Sequence, residues 1–201
     1  MSTAISSLVA VETSGGGIPV VRRAAAPRVS NGVVGTLAYL ATALMLFAGF
    51  VSAYLVLRAA AAGDWPPAGQ PRLPRGVTAG STAVLLLSGW LALRATRAGE
   101  DRSRIRFLRG AVALGTLFLA VQGLEWVRLV RYGLVMSSGL YAATFYATVG
   151  AHALHALGGL VVLALTARRL ESGRGNLAAS ALYWGFVVCI WPVLYVVLYL
   201  V

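Results

Sequence analysis

The sequence predicts an all-α, polytopic integral membrane protein with five transmembrane helices and a cytoplasmic N-terminus. The chain of 201 residues is 59% hydrophobic and only 11% charged, and its mean hydropathy is +0.79, which is not the composition of a soluble protein. Five apolar stretches are long enough to cross a hydrocarbon core, which takes about 20 helical residues. The segments between them carry unequal numbers of arginines on alternate sides, as the positive-inside rule requires.

Residues 1–30 are predicted to be a flexible cytoplasmic tail. They are small or polar and include three successive glycines at 15–17 and Pro27. A secretory signal peptide would need a charged start, about 7–15 apolar residues and a small-residue cleavage site. The apolar stretch at 5–11 is short, follows no charged residue and is succeeded by Glu12. The tail is therefore not expected to be a signal peptide.

Residues 31–201 are predicted to form the five-helix bundle, because an isolated strand cannot satisfy its backbone hydrogen bonds in lipid. The first helix follows a Ser30-Asn31 capping pair and stops at Arg58, both of which are boundary signals. Prolines between residues 66 and 74 prevent the next segment from being helical throughout. The predicted spans cover about residues 33–57, 77–93, 110–130, 141–167 and 177–201.

The charge distribution predicts topology rather than nucleic-acid binding. The chain has 17 basic residues, all arginine, against six acids, for a net charge of +11. In a soluble protein a basic excess would suggest nucleic acid. Here twelve arginines lie on the side of the N-terminus and five on the other, which predicts a cytoplasmic N-terminus and an outer C-terminus. The five are Arg58, Arg72, Arg75, Arg128 and Arg131; the twelve are Arg22, Arg23, Arg28, Arg94, Arg97, Arg102, Arg104, Arg106, Arg109, Arg168, Arg169 and Arg174.

Four polar side chains within the predicted spans are the candidate functional residues. Gln122 and Glu125 are three apart on the third span, and His152 and His155 are three apart on the fourth, so each pair shares one helix face. Ionisable groups in a membrane are costly unless they face the bundle interior and find a partner. At about 1.5 Å per residue, Gln122, Glu125 and His152 fall at similar depths and are expected to meet if the two helices are neighbours.

Several interpretations of this cluster compete. Two histidines three apart on one helix cannot ligate a haem from its opposite faces, so a haem site is poorly supported. Two imidazoles and a carboxylate could hold zinc or iron with an open position, but a fourth donor is not evident. The favoured interpretation is a buried hydrogen-bonded network joining two helices, and a proton relay is its functional variant. Catalytic, cofactor-binding and metal-binding residues are therefore not assigned.

Tryptophans are expected mostly near the ends of the spans, where an indole suits the membrane interface. The chain contains five of them: Trp65, Trp90, Trp126, Trp184 and Trp191.

Several motifs, taken in order, resemble the short, five-helix bacterial form of cytochrome c oxidase subunit III. The resemblance covers about residues 31–201 with the expected order and spacing. It is carried by Leu46-Phe47-Ala48-Gly49-Phe50 with Tyr54 and Trp65-Pro66-Pro67, by Gln122 with Glu125-Trp126, by Thr144-Phe145-Tyr146 with Gly150, His152 and His155, and by Tyr183-Trp184 with Phe186 and Trp191.

The resemblance implies an accessory subunit of a haem-copper oxidase in the bacterial inner membrane. It implies that this chain binds no haem or copper, which belong to partner subunits, and that it holds phospholipid in a cleft. The implied partners are the catalytic subunit I, other respiratory-complex subunits and membrane lipids, with no nucleic acid. Gln122, Glu125, His152 and His155 fall on polar positions of the family.

The chain departs from the family at three of its polar positions. The family usually has Ser-Glu where this chain has Thr42-Ala43. In its last helix the family usually has Trp-His-Phe-Val-Asp. Gly185 replaces that histidine in this chain, and Val188 replaces that aspartate. The resemblance links the missing carboxylate to lipid and proton behaviour. These losses weaken the expectation of a role in proton uptake and leave the scaffold and lipid-holding roles.

The sequence therefore predicts a non-redox subunit III of an aerobic terminal oxidase that takes electrons from cytochrome c. Subunit III of a quinol oxidase or of a nitric oxide reductase is the alternative. An independent transporter or channel using Glu125 and the histidine pair is less favoured, because the sequence lacks the repeats and broken helices that many transporters use.

Overall fold

The computed structural model describes residues 9–10, 22–23, 30–61, 65–67, 69–71, 73–172 and 177–201. Met1–Asn31 and Gly32–Val201 are two separate units. In the first, β1 (Val9–Ala10) pairs antiparallel with β2 (Arg22–Arg23). Most of the predicted flexible tail, residues 1–30, lies outside the described residues.

Among the described residues, five helices are each long and apolar enough to cross a membrane. The predicted class, an all-α protein with five transmembrane helices, is confirmed. A 3₁₀ turn at Met136–Ser138 precedes the fourth helix, and the fifth continues as a π-helical turn over Val196–Leu200. The helices are α1 (Asn31–Ala60), α2 (Arg75–Arg97), α3 (Asp101–Arg131), α4 (Leu140–Glu171) and α5 (Leu177–Tyr195).

The ends of α3 show how sequence sets the helix boundaries. Asp101 lies in its first turn, and Arg128 and Arg131 lie in its last, so both charges complement the helix dipole. The chain leaves α3 through Gly133, whose φ of 88° lies in the left-handed region. Glycine adopts that conformation without steric cost, which ends the helix at the start of the connection to α4.

Four of the helices form a closed ring. α2 packs against α3 and α5, and α4 packs against the same two helices. Small residues on α2, including Ala92 and Ala95, are buried along the seams, where they let helices approach closely. The ring helices carry several of the largest buried side chains among the described residues, including Trp184, Trp191 and Phe118.

Helix α1 lies outside this ring and reaches it through one stripe of side chains. Leu40, Ala43, Phe47 and Tyr54 are its buried residues, and their spacing places them on one helix face. The rest of α1 is largely exposed apolar surface, for example Met45 and Val56. That surface is available to lipid or to a neighbouring protein.

Helix α2 is longer than the span of 77–93 that hydropathy suggests. Its hydroxyl-bearing residues Thr78, Ser81, Thr82 and Ser88 lower its hydropathy, yet all four are buried within the bundle. The residues by which α2 exceeds that span include Arg75 at its start and Arg94 and Arg97 in its last turn, whose charges end the hydropathy signal but not the helix. In α5, Pro192 lies inside the helix. Proline has no N–H, so the backbone hydrogen-bond ladder is interrupted at this residue. A wider, π-helical turn begins four residues later, at Val196.

Candidate functional site

His152 lies where four helices converge. Its side chain is 1% exposed, and the rings of Phe47 from α1, Phe118 from α3 and Trp191 from α5 surround it at centroid distances of 6.2, 6.3 and 4.8 Å. Neither ring nitrogen has a hydrogen-bond partner among the described residues. Among the described residues, the His152 imidazole therefore packs as an aromatic ring within a cage formed by Phe47, Phe118 and Trp191.

His155, one turn further along α4, fastens α1 to the ring. Its Nδ1 lies 2.8 Å from the carbonyl oxygen of Ala151, so this nitrogen donates the bond. The imidazole packs against Phe47 and Tyr39 of α1, at 5.2 and 5.9 Å between ring centroids. The hydroxyl of Tyr183 on α5 donates to the His155 carbonyl oxygen at 3.1 Å. His155 therefore joins three helices by packing and by its backbone.

Gln122 links α3 to α2. Its Nε2 donates to Ser81 Oγ at 2.8 Å, and Ser81 in turn donates to the carbonyl oxygen of Thr78 at 3.0 Å. The Gln122 Oε1 atom has no partner in the described ranges. The amide thus closes the α2–α3 seam and, within the described residues, forms no hydrogen bond with the side chain of His152.

Glu125 pairs within its own helix. Its carboxylate accepts a hydrogen bond from Arg128, one turn later on α3; the Glu125 side chain is 7% exposed and that of Arg128 is 63% exposed. The pair therefore spans from the buried face of α3 to its surface near the helix end. An ion pair with one exposed partner contributes little to stability.

The direct contact expected among Gln122, Glu125 and His152 is not formed. Sequence separation places Gln122 and Glu125 on one side of α3, but Gln122 turns to α2 and Glu125 turns to Arg128. Depth along the helix axis predicts the contact, but it does not give the rotation of α3 about that axis.

Glu125 and His152 are expected to contribute independently to stability, because they share no partner. Glu125→Ala and His152→Phe should shift the thermal unfolding midpoint of the purified assembly additively in the double variant. The matched control is the bonded pair Gln122→Leu and Ser81→Ala, which should be non-additive. A larger coupling for Glu125 with His152 than for the control pair would mean that the two residues do act on each other.

Two buried indoles of α5, which hydropathy did not identify, clamp that helix to α2. Trp184 Nε1 donates to Ser88 Oγ at 3.1 Å, and Trp191 Nε1 donates to Thr82 Oγ1 at 2.8 Å. Ser88 also donates to the carbonyl oxygen of Ala111 at 2.6 Å, which adds α3 to the clamp. The expectation of tryptophan at the interface is wrong for Trp184 and Trp191. Their seven-residue spacing, which matches buried hydroxyls on α2, is the signal that could have located them.

Trp184 fits between two glycines of the neighbouring helices. A Cβ at Gly115 of α3 would lie 2.7 Å from the indole, and a Cβ at Gly159 of α4 would also lie 2.7 Å from it. Any side chain at these positions would displace the ring. The two glycines therefore create the space that Trp184 fills.

Two of the three departures from the family pattern, Val188 and Ala43, have local structural accounts. Val188 packs its methyl groups onto Gly89 of α2, where a Cβ would lie 2.7 Å away. Ala43 is buried on the stripe of α1 that faces the ring. A Cβ at Gly185 would meet no atom within 4 Å. In this chain apolar packing occupies the positions of the family's aspartate and glutamate.

A groove of about 560 Å³ lies between α1, α4 and α5. Its walls are small and aromatic, and Arg169 supplies a guanidinium. Among the described residues there is no group of three or more His, Cys, Asp or Glu side chains that could hold a metal ion.

Fold and site together define a multi-pass membrane protein built as a four-helix ring with a fifth helix against it. The chain matches the sequence profile of the family described as Cytochrome c oxidase subunit III over residues 22–201. It is 34% identical over 178 residues to the probable cytochrome c oxidase subunit 3 of Nocardia farcinica (strain IFM 10152). The aligned region covers 84% of this chain and 87% of that protein. The cytochrome c oxidase subunit 3 of Synechocystis sp. is 30% identical over 83% of this chain and 74% of its own length.

The chain belongs to the cytochrome c oxidase subunit III family, and the resemblance noted in its motifs is confirmed. A further relative, the heme-copper oxidase subunit I+III of Aeropyrum pernix, is 29% identical over 81% of this chain and 22% of that protein. The chain is thus subunit III of a haem-copper terminal oxidase. The matches do not favour the quinol oxidase, nitric oxide reductase or transporter alternatives.

Proposed function

We propose that this chain packs against the catalytic subunit of a cytochrome c oxidase and stabilises it, in a complex that reduces O₂ to water with proton translocation. The observation that carries the proposal is the large exposed apolar surface of α1 beside a closed ring of helices. A surface of this kind suits a neighbouring membrane protein. The relative named heme-copper oxidase subunit I+III supports subunit I as the neighbour, and other respiratory-complex subunits complete the proposed assembly.

Haem and copper are assigned by this proposal to partner subunits. Supporting this, both histidines of the chain lie one turn apart on α4 and pack against aromatic rings of other helices. The four polar residues Gln122, Glu125, His152 and His155 are then structural contacts between helices rather than redox ligands.

Phospholipid is proposed for the groove between α1, α4 and α5. Gly35 and Gly158 leave room along its wall, Tyr39 and Tyr183 give it apolar sides, and Arg169 can pair with a phosphate. An acyl chain would lie along the groove with its headgroup at Arg169. Mass spectrometry of lipid extracted from the complex should show less bound phospholipid for Arg169→Gln, and unchanged lipid would contradict this placement.

The enzymatic role is tested on the purified complex. Wild-type complex should oxidise reduced cytochrome c, and a preparation stripped of this chain should start at a similar rate but lose activity sooner during turnover. Oxidation of quinol alone would contradict cytochrome c as the donor. Equal lifetimes with and without the chain would contradict the stabilising role.

The proposed location is the bacterial inner membrane, with the α2–α3 connection in the cytoplasm. In a background where the only native cysteine is replaced, Cys189→Ser, single substitutions Gly99→Cys and Ser137→Cys report opposite ends of the bundle; both positions are exposed. A membrane-impermeant maleimide added to spheroplasts should label position 137 and should label position 99 only after permeabilisation. The reverse pattern would invert the topology.

A further inference from the structure

An open cavity of about 420 Å³ lies at the end of the bundle that carries the α2–α3 connection. It is lined by residues from the start of α3 and by Glu171, the last residue of α4. The cavity shares no residue with the groove proposed for phospholipid, and no described residue of α1 lines it. It is therefore distinct from both surfaces to which a partner has been assigned above.

Three arginines of α3 form one stripe along this cavity. Arg102, Arg106 and Arg109 are four and three residues apart, so their side chains lie on one helix face. Ile105 lies on the same face and is half-buried. Arginine stems cover apolar surface while their guanidinium groups stay in water. The cavity therefore has an apolar floor and a cationic rim.

The positive charge of the cavity is only partly balanced. Arg109 forms an ion pair with Glu171, which joins α3 to α4. Arg102 and Arg106 are exposed, and neither forms an ion pair with a described residue. The positive-inside rule explains why arginines are abundant at this end of the bundle, but it does not require two of them to align beside an apolar floor. Their arrangement suits an anionic partner.

The position of the stripe along α3 favours a partner in water rather than a lipid headgroup. The apolar stretch of α3 begins near Gly110, so Arg102 lies about 12 Å beyond it at about 1.5 Å per residue. The headgroup layer on each side of the hydrocarbon core is only about 5–8 Å thick. Arg102 therefore lies past the headgroups, and the Glu171 carboxylate further disfavours a phosphate at the inner end of the cavity.

We propose that this cavity docks an acidic segment of a neighbouring subunit, at the end that the proposed topology places in the cytoplasm. Two carboxylates of the segment pair with Arg102 and Arg106, and an apolar side chain between them packs on Ile105. Carboxylates four residues apart on a helix match the spacing of the two arginines, which is about 6 Å along the axis. The inference rests on the proposed assembly with other oxidase subunits and adds a second contact surface to that of α1.

The absence of lysine from this chain allows a selective test in the purified complex. All 17 basic residues are arginine, so Arg102→Lys and Arg106→Lys each introduce one side-chain amine and keep the positive charge. A carbodiimide joins an amine directly to a carboxylate in contact with it, without a spacer. Arg168→Lys is the matched control, because Arg168 is an exposed arginine at the same end of the bundle that does not line the cavity.

Mass spectrometry of the cross-linked complex should find positions 102 and 106 joined to aspartate or glutamate residues of one neighbouring subunit. The yield should be several-fold above that at position 168. Raising the salt from about 0.1 M to about 1 M shortens the Debye length from about 10 Å to about 3 Å, and should lower the yield while the complex stays assembled. Size-exclusion chromatography scores the assembly of each variant.

The inference is overturned if both positions link only to carboxylates of this chain or to lipid, or if they link to the neighbouring subunit no more than position 168 does. An intact complex with either result would leave the proposed function standing. A chain that elutes without any partner subunit would contradict the proposed function as well.

Discussion

Replacing Trp184 with alanine is expected to destabilise the chain by about 3–5 kcal/mol, the cost typical of removing a buried tryptophan. The indole is 0% exposed, fills the space left by Gly115 and Gly159, and donates to Ser88. Its removal leaves a cavity among four helices and breaks the bond between α5 and α2. The expected result is a lower thermal unfolding midpoint of the complex and loss of this chain during purification.

Trp90 provides the matched control for this substitution. It lies on α2, but its side chain is 51% exposed. Its ring makes a cation–π contact with the Arg94 guanidinium, whose carbon lies 5.2 Å from the ring centroid. Trp90→Ala should therefore shift the unfolding midpoint far less than Trp184→Ala. Trp184→Phe should fall between the two, because it keeps an aromatic ring but loses the N–H donor. Equal effects of Trp184→Ala and Trp90→Ala would show that the ring is not the core of this fold.

Replacing His152 with aspartate is expected to have the second large effect, a cost of about 3 kcal/mol or more. The surrounding cage of Phe47, Phe118 and Trp191 offers an aspartate carboxylate no cationic partner among the described residues. A buried charge without a partner strongly destabilises a membrane bundle. The expected result is a chain that fails to accumulate or to remain in the complex.

His152→Phe distinguishes a packing role from a proton-transfer role. Phenylalanine keeps a ring in the cage, and since neither imidazole nitrogen bonds to a described residue, the change should cost less than about 1.5 kcal/mol. The rate of oxygen consumption should stay close to that of wild type. A variant that assembles normally but has lost oxygen consumption or proton pumping would mean that the His152 nitrogens serve in function.

The five helices could be predicted from the sequence because length and hydropathy are properties of each segment alone. The burial of the polar first half of α2 was less accessible from the sequence. Thr78, Ser81 and Thr82 lower the hydropathy of its first half, and only the packed structure shows that these hydroxyls are buried and bonded. Hydropathy measures the cost of transfer to lipid, whereas these groups are transferred to a protein interior.

The burial of the candidate residues could be predicted from the sequence, and their contacts could not. Glu125 and His152 were identified because ionisable groups are rare within the spans, and both are buried. Their partners depend on the rotation of each helix about its axis, which a single sequence does not give. Trp184 and Trp191 were misplaced for a related reason, since an indole at a membrane interface and an indole bonded within a core have the same hydropathy.

The most direct test of this account is purification of the affinity-tagged chain from its native membrane in mild detergent. The account predicts that a haem-bearing catalytic subunit co-elutes, that the preparation shows the absorption spectrum of a haem-copper oxidase, and that it consumes oxygen with reduced cytochrome c. The chain eluting alone, or carrying haem without any partner subunit, would contradict the assignment of this bundle as a non-redox subunit of a terminal oxidase.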